Sequence, residues 1–233
     1  VSNAVLGYLV LPQIDVAKRT APGEKSGQGP DAGVRDVVRP QIQFGDASLV
    51  SEHRCDRMEL LYRAGLKERF VRADGTKVPK FVYLDMEEYR DLDLTIALFG
   101  RVLDEPEFLG CSAGIVLQAY LPDAHPMQRR LVAWARKRLE RGGAPIRLRI
   151  VKGANLAMEQ FEAAHRGWRQ APYTSKAEVD ANYKRMVVYG CHRSSAEAVH
   201  RGIASHNLFD LAYGMVVRAA LGAEDLVGFE LLE

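Results

Sequence analysis

From Pro79 onward the sequence alternates short apolar runs with longer amphipathic segments, and this alternation restricts the possible folds more than any other feature. The short runs have the length and composition of buried strands and cover residues 80–84, 113–117, 146–151, 200–204 and 226–229. The segments between them have helical spacing and cover residues 92–102, 126–142, 156–167, 178–189 and 208–221. Strands and helices in this order predict βαβ units and a parallel sheet.

Each of these predicted strands ends in a polar residue that could bind a ligand or take part in chemistry. These residues are Asp85, Gln118, Arg149 with Lys152, His206 and Glu230. A (β/α)8 barrel gathers side chains from many strand ends on one rim, whereas a doubly wound sheet collects its site at one crevice. We therefore predict an α/β fold of the TIM-type barrel class. Because we find only these strands and one near Val5, fewer than the eight of a closed barrel, we expect an incomplete barrel in this chain.

The strand 146–151 carries two arginines, Arg147 and Arg149, which the two-residue period of a strand places on one face. A charge in a buried strand is costly unless it is paired or holds a ligand. An internal salt bridge and an anionic ligand at the strand end both remain open. Lys152, Gly153 and Ala154 follow at once and add a cation and an unobstructed backbone, which suits a large anionic cofactor that Gln118, Thr174 and Lys176 could also reach.

The composition excludes several classes of protein. A net charge of +2, from 32 basic and 30 acidic residues, provides no strong field for nucleic acid, so we predict no nucleic-acid partner. Cys55, Cys111 and Cys191 have neither metal-ligand spacing nor even pairing, as in proteins of a reducing compartment. No apolar run is long enough to span a bilayer, and we expect no signal peptide.

No predicted strand is followed by a dinucleotide fingerprint or a P-loop. Asp85, Glu87 and Glu88 resemble a metal site by composition only, and because no His joins them at ligand spacing we predict no metal. Lys152 at a barrel rim could form a Schiff base, as in an aldolase or lyase, and His206 could act as an acid or base.

The chain before residue 79 is less regular. Residues 20–45 are polar and rich in Gly and Pro, which predicts a long irregular loop, and a helix is predicted from residue 46 or 48 to about 65. We divide the chain into residues 1–78, an N-terminal barrel portion with this loop, and residues 79–233, the main part of the barrel.

Six collinear motifs resemble the proline dehydrogenase domain, especially as found in the bifunctional proline utilization A proteins. They are residues 81–92 (FVYLDMEEYRDL), 114–120 (GIVLQAY), 149–155 (RIVKGAN), 171–176 (APYTSK) with Asp180 and Tyr183, 204–207 (ASHN) and 229–230 (FE). The resemblance runs from about Pro79 to the C-terminus and is thin before it. One departure is Asn155, where many family members have tyrosine.

The resemblance implies a distorted (β/α)8 barrel that holds FAD noncovalently at the C-terminal ends of its strands. Such an enzyme oxidises L-proline to Δ1-pyrroline-5-carboxylate by hydride transfer to flavin N5. By motif, Asp85 and Arg149 would be the catalytic pair, with Asp85 as the charge partner of Arg149. The cofactor would be lined by Met86, Gln118, Arg149, Val151, Lys152, Gly153, Ala154, Thr174, Lys176, Ser205, His206 and Asn207.

The resemblance also implies partners and a location. Electrons would pass to a quinone through peripheral membrane contact, so the protein is expected in the cytoplasm, at the inner face of the membrane. In a longer parent protein, an aldehyde dehydrogenase domain would be linked to this one. Family members carry a substrate lysine just before the segment that matches Val1, and an arginine pair on a final helix. We expect this chain to lack both, which leaves a noncatalytic, barrel-derived fragment as a further alternative.

Overall fold

The structure, a computed structural model, describes residues 7–9 and 52–231. Alternating strands and helices make up most of this part of the chain. Their bounds are β1 Gly7–Leu9, α1 Glu52–Lys67, β2 Arg69–Val71, β3 Lys77–Pro79, β4 Val82–Leu84, α2 Leu92–Leu103, β5 Gly114–Gln118, α3 Ala124–Glu140, β6 Ile146–Val151, α4 Leu156–Arg166, α5 Lys176–Cys191, α6 Arg193–Ala196, β7 Val199–Ala204, α7 Leu208–Ala220 and β8 Val227–Glu230.

Six of the strands form one parallel sheet in the order β1-β4-β5-β6-β7-β8. Every neighbouring pair in it is parallel, and helices connect the successive strands from β4 to β8. The α/β barrel prediction is confirmed, including the five strands after residue 79 and the strand near Val5. Because the described sheet has six strands and two outer edges, it forms an open part of the eight-stranded barrel.

The two faces of the sheet differ in character. On β6, Ile146, Leu148 and Ile150 are fully buried and belong to the apolar core under the helices. The other face, which corresponds to the barrel interior, carries Arg147 and Arg149. In a parallel sheet, residues in register share a face, so the polar residues of neighbouring strands collect on this interior face.

Some elements lie outside the sequence predictions. The polar turn at residues 72–76 joins β2 and β3 into an antiparallel hairpin that we did not predict, and α6 was also missed because it is short. The predicted loop 20–45 and the start of the helix predicted from residue 46 or 48 lie outside the described residues. Within the described part of the chain, no helix combines the length and hydropathy required to cross a membrane.

Arg138 of α3 is completely buried and binds main-chain oxygens instead of a carboxylate. Its Nη2 donates to Phe108, Leu109 and Cys111 at 2.5, 2.8 and 3.0 Å. Its Nη1 donates to the carbonyl of Leu103, and its Nε donates to that of Ala144 at 3.2 Å. One guanidinium therefore joins the end of α2, the connection to β5 and the loop before β6.

Candidate active site

The polar residues predicted at the strand ends meet at one edge of the sheet. Gln118 lies in register with Val151, Arg149 with Gly202, and Glu230 with Ala204. Parallel strands all point the same way, so their carboxyl ends form a common rim. The ends of β5 to β8 therefore lie along one edge of the sheet, and the prediction that these residues form one cofactor site stays a prediction.

Arg149 is the most enclosed cation on this rim. Its side chain is 8% exposed, and its Nε donates to Glu230 Oε2 at 2.5 Å. The guanidinium carbon lies 4.3 Å from the ring centre of Tyr83, whose hydroxyl donates to Glu230 Oε1 at 2.8 Å. Burial and the negative charge of Glu230 raise the pKa of Tyr83, so its hydroxyl stays protonated and can donate this bond.

Asp85, the expected charge partner of Arg149, interacts with it at longer range, whereas Glu230 forms a close ion pair with the guanidinium. Asp85 is half-buried, and its Oδ1 accepts the N–H of Met86 at 2.9 Å. Burial raises the pKa of Asp85, while the Met86 N–H and the charge of Arg149 act in the opposite direction. Arg149 therefore influences Asp85 through the electrostatic field. Glu230 makes the closer contact because it approaches the guanidinium from β8, a strand that the sequence analysis did not associate with Arg149.

Met86 and Gln118 brace the start of the site. Both are buried, and the Gln118 side-chain amide donates to the carbonyls of Met86 and Glu87 at 2.8 and 3.1 Å. These bonds fix the segment after β4 against β5. Gln118 therefore has a structural role in addition to the cofactor contact that we predict for it.

Lys152 stands at the end of β6 between two carboxylates. Its Nζ lies 2.6 Å from Asp180 Oδ1 on α5 and 2.6 Å from Asp210 Oδ2 on α7. Burial alone would lower the pKa of Lys152, but the two carboxylates outweigh it and raise the pKa. The same contacts, first from Lys152 and then from Lys176, lower the pKa of Asp180. Lys152 is therefore held as an ammonium ion.

Gly153 and Ala154 continue the chain past Lys152. Gly153 has a φ of 122°, and a β-carbon there would lie 2.5 Å from the ring of Tyr120. Only glycine fits both the backbone angle and this close approach. Val151 and Gly153 are partly buried, whereas Ala154 is exposed at the rim.

The remaining predicted residues lie on neighbouring turns. Asn207 caps α7 with its Oδ1, which accepts the N–H groups of Phe209 and Asp210 at 2.9 and 3.3 Å. Ser205 Oγ donates to Asp210 Oδ2 at 3.2 Å and so is linked to the ion pairs of Lys152 with Asp180 and Asp210. His206 is exposed, as are Thr174 and Lys176 at the start of α5, where Lys176 contacts Asp180 at 2.8 Å.

Sequence reasoning missed the roles of four residues that hold these cations. In the sequence, Glu230 is only a carboxylate at a strand end, and Tyr83 is only a residue of an apolar strand. Asp180 belongs to a motif that names no partner for it, and no pattern marks Asp210. The four-residue spacing between Lys176 and Asp180 on a helix was the one available hint.

Replacing Lys152 with Met is expected to lower the free energy of unfolding at neutral pH by about 2 kcal/mol, because Asp210 keeps its burial and loses its charged donor. The raised pKa of Lys152 means that its contribution is present below the unfolded pKa of about 10.4 and disappears as the pH rises through the folded value. The lowered pKa of Asp180 means that its contribution is present above an unfolded pKa of about 3.9 and disappears as the pH falls through the folded value.

Urea unfolding between these limits and beyond them measures the effect. The difference between Lys152→Met and the wild type should be largest near neutral pH and should shrink at both extremes. Lys137→Met, at an exposed position of α3, is the matched control. A difference that stays constant across the whole pH range would contradict the ion-pair interpretation.

The sequence profile of the Proline dehydrogenase family matches residues 15–233. Among solved structures, the proline utilization A (PutA) protein of Corynebacterium freiburgense is 45% identical, with a TM-score of 0.70 over 77% of this chain and 18% of that one. PutA of Bdellovibrio bacteriovorus, inactivated by N-propargylglycine, is 35% identical, with a TM-score of 0.66 over 76% of this chain and 17% of that one.

A PutA of Bradyrhizobium japonicum shares the fold at 24% identity, with a TM-score of 0.58 over 64% of this chain and 15% of that one. A search of curated proteins found no significant match. The chain thus spans less than a fifth of the length of the first two PutA proteins. The profile match covers nearly the whole sequence, and the α/β barrel and its rim agree with it: the chain belongs to the proline dehydrogenase family.

Proposed function

We propose that this chain carries the site for FAD-dependent oxidation of L-proline to Δ1-pyrroline-5-carboxylate. Membership of the proline dehydrogenase family supports the reaction class. The observation that carries the proposal is the shielded Arg149 at the rim, whose guanidinium is held by Glu230 and lies over Tyr83. Bound FAD would supply the chemistry that the side chains lack, by accepting hydride at N5 from the ring carbon next to the proline nitrogen.

Arg149 would act electrostatically. A cation fixed in a site of low exposure stabilises negative charge that develops nearby, without reorganising during the reaction. Its side chain is mostly shielded from water, so the interaction would be weakly screened. In this proposal the guanidinium would help to hold the flavin and would supply a fixed positive charge near it.

Asp85 would act on the substrate side. Its raised pKa makes it a better proton acceptor than an exposed aspartate, and its ionised carboxylate would orient the proline ring nitrogen. The field of Arg149 favours the ionised form of Asp85, so Asp85 would carry its negative charge near the cation that Glu230 also holds.

The donor groups at the rim fit an anionic dinucleotide. Two of the three N–H groups of the Lys152 ammonium face carboxylates, so the third can serve a ligand. Gly153 offers main chain without a side chain, and Thr174 and Lys176 are exposed at the start of α5. The proposed cofactor contacts are Met86, Gln118, Arg149, Val151, Lys152, Gly153, Ala154, Thr174, Lys176, Ser205, His206 and Asn207.

The proposal extends to the wider context in which the protein works. A further solved PutA structure, at 23% identity, is described as a bifunctional protein, which is consistent with an aldehyde dehydrogenase domain linked to this one in a longer parent protein. A quinone would accept the electrons, and the protein would work in the cytoplasm with peripheral contact at the inner face of the membrane. The proposed division at residues 78 and 79 separates the N-terminal portion from the main flavin-binding portion.

The Schiff-base alternative finds no support in the geometry. A lysine nucleophile must be deprotonated, and Asp180 and Asp210 stabilise the protonated form of Lys152. Borohydride treatment with a carbonyl substrate should therefore leave Lys152 unlabelled.

The intact protein is expected to bind FAD, and L-proline should bleach the flavin absorbance under anaerobic conditions. L-valine, which has no ring amine, serves as the control substrate and should leave the spectrum unchanged. A folded sample that retains no flavin would contradict the cofactor assignment and favour a noncatalytic fragment. A flavin that L-proline fails to reduce would contradict the substrate assignment.

A further inference from the structure

The Glu230 carboxylate uses its two oxygens for two different partners. Oε1 accepts the Tyr83 hydroxyl at 2.8 Å, and Oε2 accepts Nε of Arg149 at 2.5 Å. The side chain of Glu230 is 17% exposed and that of Arg149 is 8% exposed, so water competes weakly for either bond. A carboxylate held at both oxygens cannot rotate without breaking a charge-assisted bond or leaving a buried hydroxyl unpaired.

The Arg149 guanidinium is consequently constrained in two directions. The bond from Nε to Glu230 fixes one edge of the planar group. The Tyr83 ring, 4.3 Å from the guanidinium carbon, supports its face. Edge and face together define the plane of a guanidinium, and therefore the directions of its terminal N–H groups.

Two glycines create the space for this arrangement. A β-carbon at Gly202 of β7 would lie 1.9 Å from Glu230 Oε1, inside the carboxylate. A β-carbon at Gly114 of β5 would lie 2.2 Å from the Tyr83 ring. Any larger residue at these positions would displace one of the two groups that hold Arg149.

We propose that Glu230, anchored by Tyr83, is a positioning residue that fixes the orientation of Arg149 for the oxidation step. The inference rests on the proposed function, because it assigns to Glu230 a role in that reaction. Glu230 acts through Arg149, since both of its oxygens are used inside the protein. It also compensates the cation, so that the site presents the field of an oriented ion pair.

Kinetics of flavin reduction in the full-length holoenzyme test this role. Glu230→Ala should lower the limiting rate of reduction by L-proline about tenfold or more, with flavin still bound, because the guanidinium loses its edge contact. Glu230→Gln keeps an oxygen that can accept from Nε, and it should restore the rate to within about threefold of the wild type. A folded Glu230→Ala enzyme that binds flavin and reduces it at the wild-type rate would overturn the proposal.

A second pair of variants covers the case in which Glu230→Ala does not fold. Gly202→Ala pushes on the carboxylate and should slow reduction about fivefold or more. Gly228→Ala, in β8 with no atom within 4 Å of the added carbon, should match the wild type. Equal rates in these two variants would overturn the proposal.

A measurement on the flavin-free protein separates this inference from the proposed function. The Nε–H signal of Arg149 in NMR spectra should exchange slowly with water in the wild type and in Glu230→Gln, and quickly in Glu230→Ala. Equal protection in all three would overturn the positioning role. If protection follows this order but L-proline never reduces bound flavin, the proposed substrate fails and the fixing of Arg149 stands.

Discussion

Replacing Arg149 with Met is expected to lower the rate of flavin reduction by L-proline about a hundredfold or more. Its effect on the stability of the fold should be smaller. The fixed cation at the rim is lost, and Met restores only the apolar bulk of the side chain. Glu230 then lacks its charged donor in a shielded position, so the free energy of unfolding should also fall, by about 2 kcal/mol. Stopped-flow spectroscopy and urea unfolding measure the two effects separately.

Arg147→Met is a closely matched control for this experiment. Arg147 lies on the same strand and the same face, two residues earlier, but it is exposed and its guanidinium lies 5.4 Å from the Phe81 ring centre. We expect nearly wild-type reduction from this variant. If Arg149→Met unfolded the protein while leaving flavin reduction intact in the surviving fraction, β6 would carry a structural arginine and the catalytic assignment would be wrong.

Replacing Arg138 with Met should cause a large loss of stability, about 3–5 kcal/mol. The variant removes the donor for five carbonyl oxygens. Because the position is completely buried, bulk water cannot donate to these oxygens in its place. Urea unfolding at neutral pH measures the change. Arg138→Lys keeps a charge but loses the planar guanidinium, so its stability should lie between that of the wild type and that of Arg138→Met.

Arg136→Met provides the comparison on the same helix. Arg136 is exposed and donates to a single carbonyl, that of Ser194, at 3.0 and 2.7 Å. Its replacement should cost less than about 1 kcal/mol. A loss of stability in Arg138→Met as small as in Arg136→Met would show that the five carbonyls find other donors.

Much of the fold follows from the sequence, because the apolar periods that mark strands and helices are local. The strand at residues 146–151 was recognised from its apolar residues, and its two arginines were placed on one face by the period of two. The hairpin of β2 and β3 escaped this reasoning because its strands are only three residues each and carry little pattern. Collinear motifs also predicted the family, which the profile match confirms.

The sequence by itself therefore determined the fold class, the family and the rim where chemistry is expected. Only the tertiary structure decided which groups pair there. Glu230 reaches Arg149 from a strand 81 residues away, past the gap left by Gly202, and Lys152 is enclosed by carboxylates from two helices. Arg149 forms a salt bridge with Glu230, and an anionic ligand at the end of its strand remains a proposal. Such pairings depend on the register and depth of packed elements, which no local period of the sequence encodes.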